Sequence, residues 1–249
     1  MKKIFAHLRK NWIKYGFETL AIVIGILGAY YLSNWRENRT LKEKELIYIN
    51  NLKNDIDRQL LIVESQREFE QNMVDNCEEI LENIQLPPYD IAKLNETFAK
   101  MSRKSFVISN PVFEDLKFSG NLSIISNIEL RNTLLQFYQY LDYVETVFAN
   151  NNRTWVDGLG SDLMDLNLSD FGYKKDISTK TDFDFSLEVD PFIGADQIIL
   201  SQLENDAIRF LIHNKISLRG RVSNVHLSLL VDLEERSLIL IEQLMDQLK

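Results

Sequence analysis

The sequence predicts an all-α protein in which one N-terminal transmembrane helix continues into an antiparallel helical bundle outside the cytoplasm. Nine glycines and four prolines in 249 residues are few, which favours long helices over turn-rich sheets. Residues 19–35 carry no charged side chain, and apolar residues then recur at steps of three and four up to Ile84. The single cysteine, Cys77, excludes an internal disulfide and is expected to be a small buried residue of a helix.

Charge is unevenly distributed along the chain. The formal net charge is −9, yet the segment before Glu18 holds basic residues and no acidic ones. An acidic body repels phosphate backbones, so we expect no nucleic-acid partner. The basic arm, residues 1–14, suits anionic lipid head groups and is expected at the cytoplasmic face.

Residues 15–35 form the predicted transmembrane helix. At about 1.5 Å per residue they span about 31 Å, close to the hydrocarbon thickness of about 30 Å. Side chains expected to anchor this helix at the two interfaces are Trp12, Tyr15, Asn34 and Trp35. The alternatives are a buried core helix and a cleaved signal peptide, although bulky aromatic residues stand where a cleavage site requires small ones.

The orientation follows from the flanking basic residues. Five precede the span, and Arg36, Arg39, Lys42 and Lys44 follow it. Because no acidic residue opposes the first group, we expect the N-terminus inside and the C-terminal body in the periplasm, on an inner membrane.

Small residues recur every four positions within the span. This spacing places them along one stripe, where they would let two membrane helices approach closely, although Gly and Ala are also common in any membrane helix. Glu18 lies on the same face and is either a hydrated residue at the inner interface or a carboxylate bonded across a helix pair. The residues predicted to support helix association are Glu18, Ala21, Gly25, Gly28, Ala29 and Ser33.

Two stretches carry a family resemblance, "ETLAIVIGILGAYYLSNWRENR" and "FEDLKFSGNLSIISNIELRNTLLQFYQYL". The first resembles the N-terminus of an uncharacterised family of small membrane-anchored proteins found in Bacteroidota, with Glu18 opening the span and Asn34, Trp35 and Glu37 closing it. Arg36 and Ser33 depart from that pattern. In the second stretch the matching residues are Leu116, Ser119, Gly120, Leu122, Ile125, Asn127, Leu130, Arg131 and Tyr138. The resemblance implies location and architecture but no activity.

The body, residues 36–249, is predicted to be helical apart from one irregular insertion. Residues 30–86 contain neither Gly nor Pro and predict a long helix with a break near Asn50-Asn51, ended by Pro87-Pro88. Polar residues interrupt its partial heptad at Gln59, Gln66 and Glu70, which favours packing in a bundle over a free two-stranded coiled coil.

Later helices are predicted from local signals. They cover residues 91–101, a segment that Pro111 begins and Gly120 closes, residues 128–148, and residues 195–249 with a break or kink at Gly220. Residues 150–195 are richer in Gly, Asp and Ser, and "DFDFSLEV" alternates like a short strand, so this region is the expected insertion.

Catalytic and metal-binding patterns are sparse. His7, His213 and His226 are expected to have structural or surface roles, and no nucleotide-binding or hydrolase motif occurs. Asp165, Asn167, Ser169 and Asp176 match part of a calcium loop, but Asp170 and Gly172 replace residues that the loop requires. We therefore predict no metal, no cofactor and no catalytic residue.

These observations favour a membrane-anchored structural or interaction protein, a subunit or scaffold of a cell-envelope complex. Its expected partners are the lipid bilayer and either further copies of itself or another envelope protein. A sensory or ligand-binding bundle is the alternative, and an enzyme is the least favoured class.

Overall fold

The computed structural model describes residues 12–168 and 192–248, with side chains from Gly16 onward. All regular elements in these two ranges are helical. The α-helices are α1 (Trp12–Asn83), α2 (Ile91–Lys100), α3 (Pro111–Phe118), α4 (Ile128–Asn151), α5 (Leu159–Asp165), α6 (Ala195–Leu203) and α7 (Asp206–Gln247). A 3₁₀ turn at Asn121–Ile124 precedes α4, and a π-helical turn at Asn152–Val156 follows it.

Helix α1 dominates the molecule. Its 72 residues correspond to about 108 Å at about 1.5 Å per residue. Residues 16–44 are exposed on every side, and burial begins at Glu45. The N-terminal part of the helix is long and apolar enough to cross a membrane, and none of its apolar window is buried.

The predicted break near Asn50-Asn51 is wrong, because α1 is continuous through both residues. Both asparagines are exposed, while Ile49 and Leu52 beside them are fully buried. Their low helix propensity is therefore outweighed by the packing of the neighbouring apolar face.

Helix α7 runs antiparallel to α1 and shares the largest interface with it. Near the start of α7, Ile212 and Ile216 pack with Ile80 and Ile84 near the end of α1. The C-terminal residues Leu240 and Leu244 pack instead in the cluster that contains Ile49 and Leu52. Residues 45–168 and 192–248 thus pack together, and we call them the helical body.

A break or kink is predicted at Gly220, and no break occurs there, since α7 continues from Asp206 to Gln247. Gly220 is buried against α1, where a Cβ atom added to it would lie 3.4 Å from the Cβ of Cys77. Because glycine has no side chain, α1 and α7 can approach each other closely at this position. Cys77 is buried, as predicted.

Local signals mark the ends of several helices, and Pro111 and Gly120 act as the sequence predicts. Pro111 occupies the start of α3, and Gly120 follows that helix with φ +71°. Asn127 caps α4 by accepting from the N–H groups of Glu129 and Leu130, and Asn205 caps α7 in the same way. These caps fix where two helices begin.

Residues 101–110 form an extended segment between α2 and α3, which we call the strap. None of its residues lies in a helix, and side chains of α1 bind its backbone. Gln66 donates to the carbonyl of Lys104 (3.3 Å), and Gln59 accepts from the N–H of Ser109 (3.0 Å). Two of the polar residues that interrupt the heptad of α1 are thus buried partners of the strap.

Part of the region predicted to be irregular, residues 150–195, is helical. The π-helical turn and α5 occupy most of residues 152–165, and residue 194 precedes α6. The stretch "DFDFSLEV", predicted as a short strand, lies outside the described residues.

Candidate functional site

A layer of buried polar side chains separates two hydrophobic clusters of the helical body. The cluster nearer the N-terminal segment of α1 reaches Val63, and the other begins at Cys77. Between them α1 and α7 contribute the polar layer, defined as Gln66, Glu70, Arg219, Ser223 and His226.

Glu70 is the centre of the polar layer. Its Oε1 accepts hydrogen bonds from Nδ1 of His226 (3.1 Å) and from Nε2 of Gln66 (3.1 Å). Its Oε2 accepts from the hydroxyl of Ser223 (2.8 Å) and lies 3.5 Å from Nη1 of Arg219. Four side chains therefore surround one carboxylate that is only 1% exposed.

Arg219 supplies the opposite charge. Its Nη1 donates to Ser223, and its Nη2 donates to the carbonyl of Ser102 in the strap (3.2 Å). Its Nε has no hydrogen-bond partner among the described residues. A buried carboxylate and a buried guanidinium are each costly to desolvate, so they are retained only as a pair with further hydrogen bonds.

His226 is held by three neighbours. Its Nδ1 bonds Glu70, its Nε2 lies 3.3 Å from Nδ2 of Asn151, and its ring stacks on Phe148 with centroids 3.7 Å apart. His226 therefore has the structural role that was one of the two predicted. His213 lies at the surface, which was the other. His7 lies outside the described residues.

The electrostatics of the layer favour a charged Glu70. Burial raises the pKa of the Glu70 carboxyl, but hydrogen bonds from His226 and Ser223 and the charge of Arg219 outweigh burial and hold that pKa below its ordinary value. Burial raises the pKa of the Cys77 thiol to about 11, although the charge of Arg219 opposes this rise. Cys77 is thus a protonated and weakly nucleophilic thiol at neutral pH.

The layer contains a serine, a histidine and a carboxylate, but not in the geometry of nucleophilic catalysis. That chemistry requires a hydrogen bond from the nucleophile to the base. Here the Ser223 hydroxyl donates to Glu70, and Glu70 also accepts from His226. With all three side chains buried, the arrangement stabilises the fold and positions the strap.

Two consecutive asparagines, where α4 meets the π-helical turn, bond to the interior. Asn151 contacts His226, and Nδ2 of Asn152 donates to the carbonyl of Lys104 (3.3 Å). The strap is therefore bound from α1, α7 and the π-helical turn.

Two cavities flank an ion pair on the outer side of the strap. Nη1 of Arg103 donates to both carboxylate oxygens of Asp157, at 2.6 and 2.8 Å. A cavity of about 200 Å³ lies on the side of Met101 and Leu159. Another of about 240 Å³ lies on the side of Arg153 and is also lined by Arg103 and Asp157.

The residues predicted for helix association lie on the exposed stretch of α1, residues 16–44. Their side chains are exposed, and a Cβ atom added to Gly25 or Gly28 would meet nothing within 4 Å. The same stretch contains Glu18, Ala21, Ala29 and Ser33.

Two of the four predicted interfacial anchors lie on the same exposed stretch. Asn34 and Trp35 are exposed, and the guanidinium of Arg39 lies 5.9 Å from the ring of Trp35. The structure does not describe the side chains of Trp12 and Tyr15. Residues 1–11 of the basic arm also lie outside the described residues.

Metal-binding groups do not assemble in residues 12–168 and 192–248. No cluster of three or more His, Cys, Asp or Glu side chains suited to a metal ion occurs there. Asp165 and Asn167 of the partial calcium pattern lie at the end of α5, with Asn167 at φ 50°, while Ser169 and Asp176 are outside the described residues.

Sequence comparison assigns the chain to a family. The model of a family of unknown function, DUF6090, matches residues 18–150, which is more than half of the 249 residues. The chain belongs to this family. The DUF6090 match runs from Glu18 to the end of α4 and includes Gln66 and Glu70 of the polar layer, but not α7. No curated protein and no solved structure matches the chain.

Gln66 and Glu70 are predicted from the sequence only as interruptions of a heptad, and neither is assigned to a site, although a signal was present. The polar residues Gln66 and Glu70 stand out at apolar heptad positions, and that signal indicates buried partners. Arg219 and Ser223 were missed, although they occupy apolar positions of the α7 pattern in the same way. The strap could not be foreseen, because its partners lie tens of residues away in sequence.

Proposed function

We propose that this DUF6090 protein is a membrane-anchored structural or interaction protein of the cell envelope. Residues 15–35 would cross the inner membrane with the N-terminus inside. The helical body would form an antiparallel bundle in the periplasm and act as a subunit or scaffold of a complex. The bilayer and either further copies of the chain or another envelope protein would be its partners.

The observation that carries this proposal is the contrast between the two parts of α1. Residues 16–44 are exposed on all sides, whereas the same helix supplies buried residues to both hydrophobic clusters from Glu45 onward. Exposed apolar surface costs about 25 cal/mol per Å² in water. A lipid environment removes that cost for the run between Phe17 and Trp35, and so supports a membrane span.

The interaction role is supported by the lack of catalytic geometry in the described residues and by the open space around Gly25 and Gly28. Small residues let membrane helices pack closely, so this face suits a second helix. Purification in mild detergent followed by mass spectrometry would identify the protein that covers it.

Membrane anchoring is tested by extracting membranes with alkaline carbonate. We expect the parent chain to remain in the pellet. A variant with both Ile24→Lys and Leu27→Lys should appear in the supernatant, since each lysine near the centre of a span costs about 2.5–3.5 kcal/mol. The control is Leu61→Lys, which changes an exposed leucine of the helical body and should stay in the pellet.

Orientation is tested by fusing reporters after Lys249. A reporter active only outside the cytoplasm should work, because unopposed basic residues precede the span. Activity restricted to a cytoplasmic reporter would reverse the orientation. N-terminal sequencing should find residues before the span retained; a mature chain that begins after Ala29 would instead indicate a cleaved signal peptide.

A sensory or ligand-binding role is the second candidate. The cavities beside the Arg103–Asp157 ion pair favour it, because they lie over the strap, and the strap is bonded to the polar layer. A ligand at Arg103 would contact the strap, whose backbone carbonyls accept hydrogen bonds from Arg219 and Gln66 on its buried side.

A further inference from the structure

The cavity on the Arg153 side is rich in hydrogen-bond donors. It is lined by two arginines, Arg103 and Arg153, by the buried amide of Asn152 and by the hydroxyl of Ser105. Among the residues that the structure describes, Asp157 is the one acidic residue that lines it. The cavity is thus locally positive in a protein whose net charge is −9.

Arg103 presents one edge of its guanidinium that Asp157 does not use. Both bonds to Asp157 come from Nη1. Nη2 makes only a 3.5 Å contact with Ser105 Oγ, and Nε has no bond within the described part of the chain. Since Ser105 lines the Arg153-side cavity, the Nη2 donor lies on that side. The fork of Nε and Nη2 matches the two oxygens of a carboxylate.

Arg153 adds a second positive charge. Its Nη2 donates to Oδ1 of Asn150 (2.8 Å), and within the described residues no acidic side chain pairs with it. It begins the exposed part of the π-helical turn, directly after the buried Asn152. The turn therefore places a fixed amide and a charged side chain next to each other at the cavity.

The backbone below the cavity is held in place. The carbonyl of Ser102 accepts from Arg219, and the carbonyl of Lys104 accepts from Gln66 and Asn152. Arg103 lies between these two anchored residues. A binding residue on a fixed backbone loses less conformational entropy when a ligand binds.

We propose that the cavity between Arg103 and Arg153 binds a small organic carboxylate. The ligand carboxylate would bridge the Nε–Nη2 edge of Arg103 and the guanidinium of Arg153, and its apolar part would contact Phe106 and Ala149. The volume, about 240 Å³, suits a ligand of this size, since a cavity of about 150 Å³ holds benzene. The proposal goes beyond membrane anchoring and does not depend on it.

Benzoate and benzamide provide a matched pair of probes for the full-length protein in detergent. They have the same shape, and only benzoate carries a charge. We expect isothermal titration to detect benzoate binding in the millimolar range or tighter, and benzamide binding at least tenfold weaker. Equal binding of the two probes, or no heat with benzoate at 20 mM, would overturn the proposal. Binding of inorganic phosphate without benzoate would overturn the carboxylate assignment.

Four variants locate the site. Arg103→Gln and Arg153→Gln should each weaken benzoate binding about tenfold or more, because each removes a charge-assisted bond. Arg58→Gln, on the exposed side of α1, should leave binding unchanged and controls for net charge. Asp157→Asn should tighten binding, since it removes a carboxylate that repels the ligand. A loss of the same size in Arg58→Gln, or weaker binding in a folded Asp157→Asn, contradicts the assigned site; circular dichroism melts establish that each variant is folded.

Discussion

At the scale of single residues, Glu70 decides how the interior is organised. It is charged, buried and bonded to side chains of both long helices. The hydrophobic clusters on either side contribute no directional bonds, so the polar layer fixes which residue of α7 lies against which residue of α1. A shift of α7 by one heptad would preserve apolar contacts but would separate Arg219 from Glu70.

Replacing Glu70 tests this role. Glu70→Gln keeps the side-chain shape but leaves the charge of Arg219 buried without its partner, and breaking such a pair costs about 3–5 kcal/mol. We expect a loss of this size in the free energy of unfolding by urea at pH 7. Glu68→Gln, an exposed neighbour on the same helix, is the control and should change the free energy by less than about 0.5 kcal/mol.

The pKa of Glu70 predicts a dependence on pH. The folded-state pKa is lowered, whereas an unfolded glutamate has a pKa of about 4.3. Its contribution is therefore fully present above about pH 4.3 and is lost as pH falls through the lower folded pKa. We expect the stability difference between the parent and Glu70→Gln to shrink in urea titrations below that pH. A difference that grows on acidification would show that the sign is wrong.

At the scale of elements, the close contact of α1 and α7 depends on Gly220. The position faces Cys77 at ordinary van der Waals distance, and its backbone is helical. A single methyl group therefore fits, whereas a larger side chain does not.

Two substitutions separate these effects. Gly220→Ala should raise the free energy of unfolding by up to about 1 kcal/mol, because alanine has the higher helix propensity. Gly220→Val should lower it by about 1–3 kcal/mol through overpacking against Cys77. Urea unfolding measures both. If both variants destabilise the protein equally, even the alanine Cβ, placed 3.4 Å from the Cβ of Cys77, does not fit between the two helices.

The outcome at the element scale shows which parts of the fold a sequence specifies. Helices with local signals were predicted well, because Pro111, Gly120 and the Pro87-Pro88 pair act within a few residues. The break predicted at Asn50-Asn51 is wrong and none occurs at Gly220, since propensity there is outweighed by contacts with distant residues. Only part of the polar layer leaves a signal in the sequence. Gln66 and Glu70 interrupt the apolar heptad pattern of α1, but their partners Arg219 and His226 are about 150 residues away.

At the scale of the whole molecule, the exposed apolar stretch and the first residues of the helical body belong to one helix, α1. Gly25 and Leu52 are separated by 27 residues, about 7.5 turns at about 3.6 residues per turn. The small-residue stripe therefore points away from the side on which the body packs against α1. A second copy could approach the stripe without meeting the body of the first.

Self-association through the stripe is tested with full-length chains labelled for energy transfer in lipid bilayers. Gly25→Leu should separate the helix backbones and weaken association while insertion persists. Glu18→Gln should be tolerated if the carboxylate is hydrated, and should cost about 1 kcal/mol if it is bonded across a helix pair.

The control for this experiment is Val23→Leu, which enlarges an exposed side chain of the same span outside the stripe. Equal energy transfer in the parent, Gly25→Leu and Val23→Leu would mean that the small residues reflect membrane composition alone. Any oligomer would then be built by the helical body.

Because α1 is continuous from Trp12 to Asn83, the direction in which the body faces depends on its distance along the helix axis from the exposed apolar stretch. Residues 36–44 are exposed, so residues inserted there would mainly change the geometry of the helix. One added residue would turn the body by about 100° and move it by about 1.5 Å along the helix axis. Seven would return it to within about 20° of its original direction while moving it by about 10 Å. A function that depends on distance along the helix axis would tolerate one or two added residues better than seven, whereas a partner that must be met on one side would tolerate seven better than one or two.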